Sequence, residues 1–171
     1  MRIPSHLVPL VHLTILLPPT ACRMRYSSLL LLEDILVRHP KLRIWAMHAG
    51  WPLADDTIAT LYAHPQLYVG VGVICFAFSR KQFYDFVQRL VDAGFEKRIM
   101  FGSDEIVWPD ALSAGIDSIE PAPSLTLAQK RDTLYNNAAR FLRMEKRRWL
   151  IHAHGTDGPV FHVPFLRRGH R

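Results

Sequence analysis

The sequence has little cysteine. Its 171 residues include two, Cys22 and Cys75, far apart and in no CxxC or other metal-like spacing. That excludes a disulfide framework and a thiolate metal cluster, and leaves two reduced, mostly buried thiols in an intracellular protein as the expectation. Also missing is any apolar run of the ~20 residues needed to span a bilayer as a helix. Leu7 to Leu17, behind Arg2 and ahead of Pro18-Pro19-Thr20-Ala21-Cys22, loosely has the form of a signal peptide, but Pro4, His6, Pro9 and His12 interrupt it. No membrane partner and a cytoplasmic location are therefore expected. There are no repeats and no low-complexity segment within the patterned part of the chain. The formal charge of +6 is not a property of the whole chain, because from Lys146 onward six basic residues stand against Asp157 alone. Without interleaved basic and aromatic residues or a recognisable binding module, nucleic acid is not an expected partner.

What is present is enough apolar residue for one real core: 49% hydrophobic against 21% charged. Val8–Leu17 reads as a strand with His12 inside it, stopped by Pro18-Pro19. Ser28 can cap a helix over Leu29–His39, ended by Pro40. Leu42–Met47 is a second strand and Leu53–His64 a second helix, with Asp55 and Asp56 in its first turn, where the helix dipole favours them. Leu67–Phe76 is a wholly apolar third strand. Ser79 caps an amphipathic helix over Arg80–Ala93, with Gly94 as its stop. Arg98–Gly102 is a fourth strand, followed by helices over Asp110–Ile119 and Leu127–Leu142, the latter opened by Thr126. Strand and helix alternate in units of about 30 residues, and the strands are continuously apolar. Both features predict an α/β fold with a parallel sheet and βαβ crossovers. The alternation occupies residues 1–145, and residues 146–171 are expected to be a basic, poorly ordered extension.

In such sheets, ligands and catalytic groups collect at the carboxyl ends of the strands. Reading those ends in turn gives His12, His48 in His48-Ala49-Gly50-Trp51-Pro52, the glycine-rich third strand, and Asp104 in Gly102-Ser103-Asp104. Two imidazoles and a carboxylate on one edge would suit zinc, manganese or iron. Each residue also has a plainer reading. A strand histidine is commonly a satisfied core residue, and an aspartate after Gly-Ser can be an Asx turn or a helix N-cap. His39 and His64 precede prolines at helix ends, where the helix dipole accounts for them. His152, His154, His162 and His170 have no strand context.

The segments MHAGWP (Met47–Pro52), MFGSD (Met100–Asp104) with Trp108-Pro109, and NNAARFL (Asn136–Leu142) resemble the amidohydrolase-related family. Its members are metal-dependent TIM barrels that include aminocarboxymuconate-semialdehyde decarboxylase-like enzymes. LLLEDILVRHPKL (Leu30–Leu42) is also similar to the helix leading into the family's sixth strand. The resemblance runs from about Tyr26 to Met144, and more weakly over Val8–Leu17. It implies the C-terminal half of a (β/α)8 barrel, with strands five to eight.

By that resemblance His48 would bind or activate the catalytic water and Asp104 would ligate the metal. His12 would be the fifth-strand metal histidine, although the Thr-Gly usual behind it is incomplete here. Gly70 departs from the Tyr-Val-Asp of similar sequences. The family's first-strand His-X-His pair has no counterpart; His152 and His154 share its spacing but follow the last strand. The implied activity is that of a metal-dependent hydrolase or non-oxidative decarboxylase using a divalent metal, zinc first. Its substrate would be a small carboxylate or amide-like molecule. A barrel typically takes about 250 residues, so the expectation is a fragment without a complete site. The alternative is a non-catalytic half-barrel that pairs with a complementing half or with a second copy.

Overall fold

The computed structural model describes residues 24–104 and 110–144. The expected strand over Val8–Leu17 with His12, Cys22, Trp108-Pro109 and the basic extension lie outside the described residues. Ser28 opens the first helical segment: its hydroxyl accepts from the Leu30 amide and donates to the Asp56 carboxylate at 2.5 Å. The segment begins as a 3-10 turn over Leu29–Leu32 and only then becomes α1, Glu33–Arg38. Leu29 and Leu32 are the buried pair. Residues three apart eclipse in a 3-10 turn, so the tighter turn puts both into the core.

Three strands, β1 (Ile44–Ala46), β2 (Leu67–Gly70) and β3 (Ile99–Met100), form a parallel sheet in the order β1-β2-β3. Trp45 stands opposite Tyr68, and Gly70 opposite Met100. The crossovers are α2 (Ala54–Ala63) between β1 and β2, then α3 (Ile74–Ala77) and α4 (Arg80–Asp92) between β2 and β3. Side-chain alternation splits the sheet into two faces. Ile44, Ala46, Leu67, Val69 and Ile99 join Leu36, Leu61, Phe83 and Leu90 in the buried core. Each of these apart from Ala46 contributes ~1.5–3 kcal/mol by leaving water. Trp45, Tyr68, Gly70 and Met100 occupy the other face.

The apolar run Leu67–Phe76 is a strand only as far as Gly70. Val71 still donates to the Met100 carbonyl at 2.9 Å, but the chain then turns at Gly72–Val73 and becomes α3. Val71, Ile74 and Cys75 are all buried, so hydrophobicity continues through a change of backbone conformation. The run reports burial rather than strand. Cys75 is the buried thiol expected of it, and desolvation pushes its pKa up to about 12, which makes it a poor nucleophile.

After β3 come α5 (Ala111–Ile119) and α6 (Leu127–Arg131), the latter opened by a capping box between Thr126 and Gln129. A π-helical turn, Asp132–Asn136, leads into α7, Asn137–Phe141. This last helical rod lies along the outer edge of β3. The Phe101 amide donates to the Thr133 carbonyl at 2.8 Å, and Asn137 Nδ2 donates to the Ile99 carbonyl at 2.6 Å. Among the described residues no helix is long and apolar enough to cross a membrane.

Candidate active site

β1 delivers His48 to the carboxyl edge of the sheet. The chain leaves the strand through three consecutive left-handed residues, His48, Ala49 and Gly50, with φ of 59°, 51° and 68°. Such a backbone costs L-residues ~1–2 kcal/mol each and needs support from outside. Here the support is visible. Thr57 Oγ1, fully buried on α2, donates to the Ala49 carbonyl at 2.7 Å. The Trp51 amide closes onto the His48 carbonyl at 2.9 Å. Gly50 has no alternative at its position, because a Cβ there would lie 2.7 Å from Thr57 Oγ1 and 3.0 Å from Leu29 Cγ. The Trp51 ring then packs against Phe78 and Phe86, at centroid distances of 4.8 and 5.0 Å, which anchors the loop beyond the turn.

β3 delivers Asp104 through Phe101, Gly102 and Ser103, and Asp104 itself has φ 50°. His48 is 4% exposed. Its Nε2 lies 3.8 Å from Asp104 Oδ2, and its Nδ1 lies 2.9 Å from the Gly72 carbonyl oxygen. The pair therefore comes from the two outer strands and meets over the end of the central one. Glycine at positions 70 and 72 keeps this end of β2 narrow: a Cβ on Gly72 would meet the Gly102 backbone, and one on Gly70 would meet Trp45. The Trp45 indole lies where a side chain at Gly70 would go, its Nε1 2.4 Å from an ideal Cβ. The same Nε1 is buried and has no hydrogen-bond partner among the described residues.

The structure brings His48 and Asp104, two of the residues expected at this edge, within 3.8 Å of each other. His12, the third expected donor, lies outside the described residues. The glycine-rich end of the third expected strand belongs to that edge, but the sequence singles out neither the Gly72 carbonyl as a partner of His48 nor Trp45 as the neighbour of Gly70. The available signal was the Gly-X-Gly of the third strand, because glycine inside an apolar strand often marks a close backbone approach. His64 is no part of the edge; its Nε2 faces Glu33 Oε1 at 3.8 Å, at the end of α2.

The chemistry of an imidazole nitrogen facing a carboxylate is acid–base chemistry, and both groups are also metal donors. A tight metal site usually takes three protein ligands and a water. Among the described residues no group of three or more histidine, cysteine, aspartate or glutamate side chains could hold a metal ion. His48 and Asp104 alone do not fit a resident divalent ion.

The sequence profile of the amidohydrolase family matches residues 9–144. No curated protein matches the chain in sequence. Among solved structures, it is similar to a Pseudomonas putida protein assigned as a 2-pyrone-4,6-dicarboxylic acid hydrolase. The two are 19% identical with a TM-score of 0.52, over 70% of this chain and 49% of that one. It is also similar to 5-carboxyvanillate decarboxylase from Sphingomonas paucimobilis, with 18% identity and a TM-score of 0.48 over 70% and 39% of the respective chains. At such identities the first of these is a likeness of fold alone. The chain spans about half the length of the first structure and less of the second.

Proposed function

This chain belongs to the amidohydrolase family and folds as part of its (β/α)8 barrel, and on that premise we propose that the edge carrying His48 and Asp104 is the reacting edge of a hydrolase or non-oxidative decarboxylase. The substrate class is a small carboxylate or amide-like molecule. The family reading and the dicarboxylic acid named for the Pseudomonas putida protein both favour it. One observation carries the proposal: His48 Nε2 and Asp104 Oδ2 face one another at 3.8 Å at the carboxyl end of a parallel sheet. In this role Nε2 orients a water and takes its proton, while the carboxylate holds the imidazolium so formed or passes the proton on. Burial of His48 excludes competing bulk water from the ring.

The family's usual divalent metal, with zinc first and manganese or iron as alternatives, would supply Lewis acidity. His48 and Asp104 offer it two donors, one short of a tight site. We infer that the isolated chain holds metal weakly and turns over little. The test is elemental analysis of the purified chain, with hydrolysis and decarboxylation of aromatic and pyrone carboxylates assayed with and without added zinc. Expected are substoichiometric metal and slow turnover that His48→Ala and Asp104→Asn reduce further. Stoichiometric metal with turnover abolished by His48→Ala overturns the incompleteness. Turnover indifferent to both substitutions sinks the assignment of the edge.

A second reading has one observation in its favour. Leu31 and Val37, beside and on α1, are 57% and 68% exposed, with Leu30 and Ile35 nearby at 40% each. An apolar surface of this kind suits a half-barrel that binds a partner or a second copy. A monodisperse monomer on size-exclusion chromatography that binds nothing would count against that reading.

A further inference from the structure

We propose that Gly72 is a positioning residue of this site: its carbonyl fixes His48 in the tautomer that leaves Nε2 free toward Asp104, and its bare Cα sets how closely Asp104 can approach. The proposal rests on the reading of His48 and Asp104 as the reacting pair, but its test requires no turnover.

The first half follows from hydrogen-bond inventory. A carbonyl oxygen can only accept, so the 2.9 Å contact from His48 Nδ1 to the Gly72 oxygen requires the proton on Nδ1. In the neutral ring the lone pair is then on Nε2, the nitrogen that faces Asp104 at 3.8 Å. Asp104 does not need to set the tautomer, because 3.8 Å is longer than a hydrogen bond. The same Gly72 oxygen also accepts from the Ile74 amide at 2.6 Å. That contact closes a three-residue turn around Val73, whose φ of 59° and ψ of −53° are rare and strained for a β-branched residue. Local strain is therefore concentrated at the turn whose first carbonyl orients the buried histidine.

The second half is steric. A Cβ on Gly72 would lie 2.7 Å from the Gly102 carbonyl oxygen and 3.2 Å from its carbon. These are backbone atoms, which cannot swing aside as a flexible side chain could. Gly102 is two residues before Asp104. Any side chain at position 72 therefore has to push apart the two strand ends that carry His48's acceptor and Asp104. One glycine governs both the direction of the imidazole and its distance from the carboxylate.

The experiment is long-range proton–nitrogen NMR on the full chain labelled with 15N-histidine, recorded at a pH where the rings are neutral. The His48 signals are identified by their loss in His48→Gln. Expected is an Nδ1-protonated His48 in the wild type and in Asp104→Asn, and loss of that state in Gly72→Ala. An Nε2-protonated ring in the wild type overturns the proposal. So does a switch of tautomer in Asp104→Asn, which would make the carboxylate the determinant, or a folded Gly72→Ala chain whose His48 is unchanged. If circular dichroism shows that Gly72→Ala does not fold, the wild-type and Asp104→Asn spectra decide. Absence of turnover in every assay would remove the catalytic reading and leave the tautomer result standing, so the two failures are distinguishable.

Discussion

His48, Ala49 and Gly50 leave the sheet with φ of 59°, 51° and 68° in succession, and the side chain that makes this run tolerable is Thr57, not any of the three. Its hydroxyl satisfies the Ala49 carbonyl at 2.7 Å from a fully buried position. Thr57→Val keeps the shape and removes the donor, so a buried carbonyl is left unpaired at ~1–3 kcal/mol. Denaturant unfolding should show a loss of that order, and an unchanged midpoint would mean that the left-handed run holds itself. At this scale the sequence is informative about groups that act through side chains. His48 and Asp104 were singled out because each follows an apolar run and stands in a segment, MHAGWP or MFGSD, that resembles the family; position alone left the core-histidine and Asx-turn readings open. Gly72 was not, because its contribution is a carbonyl and an empty space. Neither leaves a residue-type signature beyond the glycine itself.

Helices were the legible elements: α2 and α4 begin and end within a residue or two of their expected limits, because caps such as Ser79, which accepts from the Gln82 amide, are local in sequence. Strand lengths were not. β1, β2 and β3 are shorter than their apolar runs, since burial on all sides looks the same in a strand, a turn or a short helix. The π-helical turn was also hidden, because an i to i+5 ladder has no residue code, yet it is part of the rod that seals β3. Thr133 and Asn137, one turn apart, meet the β3 edge where a neighbouring strand otherwise would. Asn137 is fully buried and donates to both the Glu96 and Ile99 carbonyls. Asn137→Ala should therefore cost ~2–4 kcal/mol in equilibrium unfolding and speed amide exchange along β3. A loss below ~1 kcal/mol would show that water replaces the amide freely. In the same rod Asp132 is buried among Lys97, Asn136 and Arg140. Burial alone would raise its pKa, but hydrogen bonds from Lys97 and Asn136 and the charges of Arg140 and Lys97 outweigh that and hold it below the ordinary carboxylate value. A depressed folded pKa gives stability that is present above the unfolded value near 4 and lost as pH falls through the folded one. Acid titration of stability should be flatter below about pH 4 in Asp132→Asn than in the wild type. Identical slopes would remove Asp132 from the account.

For the molecule as a whole, the alternation of strands and helices implied only an α/β fold with a parallel sheet, and the barrel family came from the motifs around His48, Asp104 and Asn136–Leu142. How far a metal site is assembled depends on contacts that no pattern encodes. The described sheet has one edge occupied by its own last helix, and β1 at the other. At its carboxyl end stand two donors, His48 and Asp104. Ligand binding raises stability by RT ln(1 + [L]/Kd), about 0.4 kcal/mol when zinc equals Kd and about 2.7 kcal/mol at a hundredfold excess. With two donors, zinc equimolar with a micromolar chain should sit far below Kd and leave the thermal midpoint within ~1 °C of the metal-free value. Millimolar zinc should raise it, and the increment should vanish in the His48→Ala/Asp104→Ala double variant, which separates this edge from the histidines near the C-terminus. An equimolar shift above ~5 °C that Asp104→Ala abolishes would mean that a third ligand completes the site. His12→Ala would then be the variant to test first, since the resemblance implies His12 as the further donor.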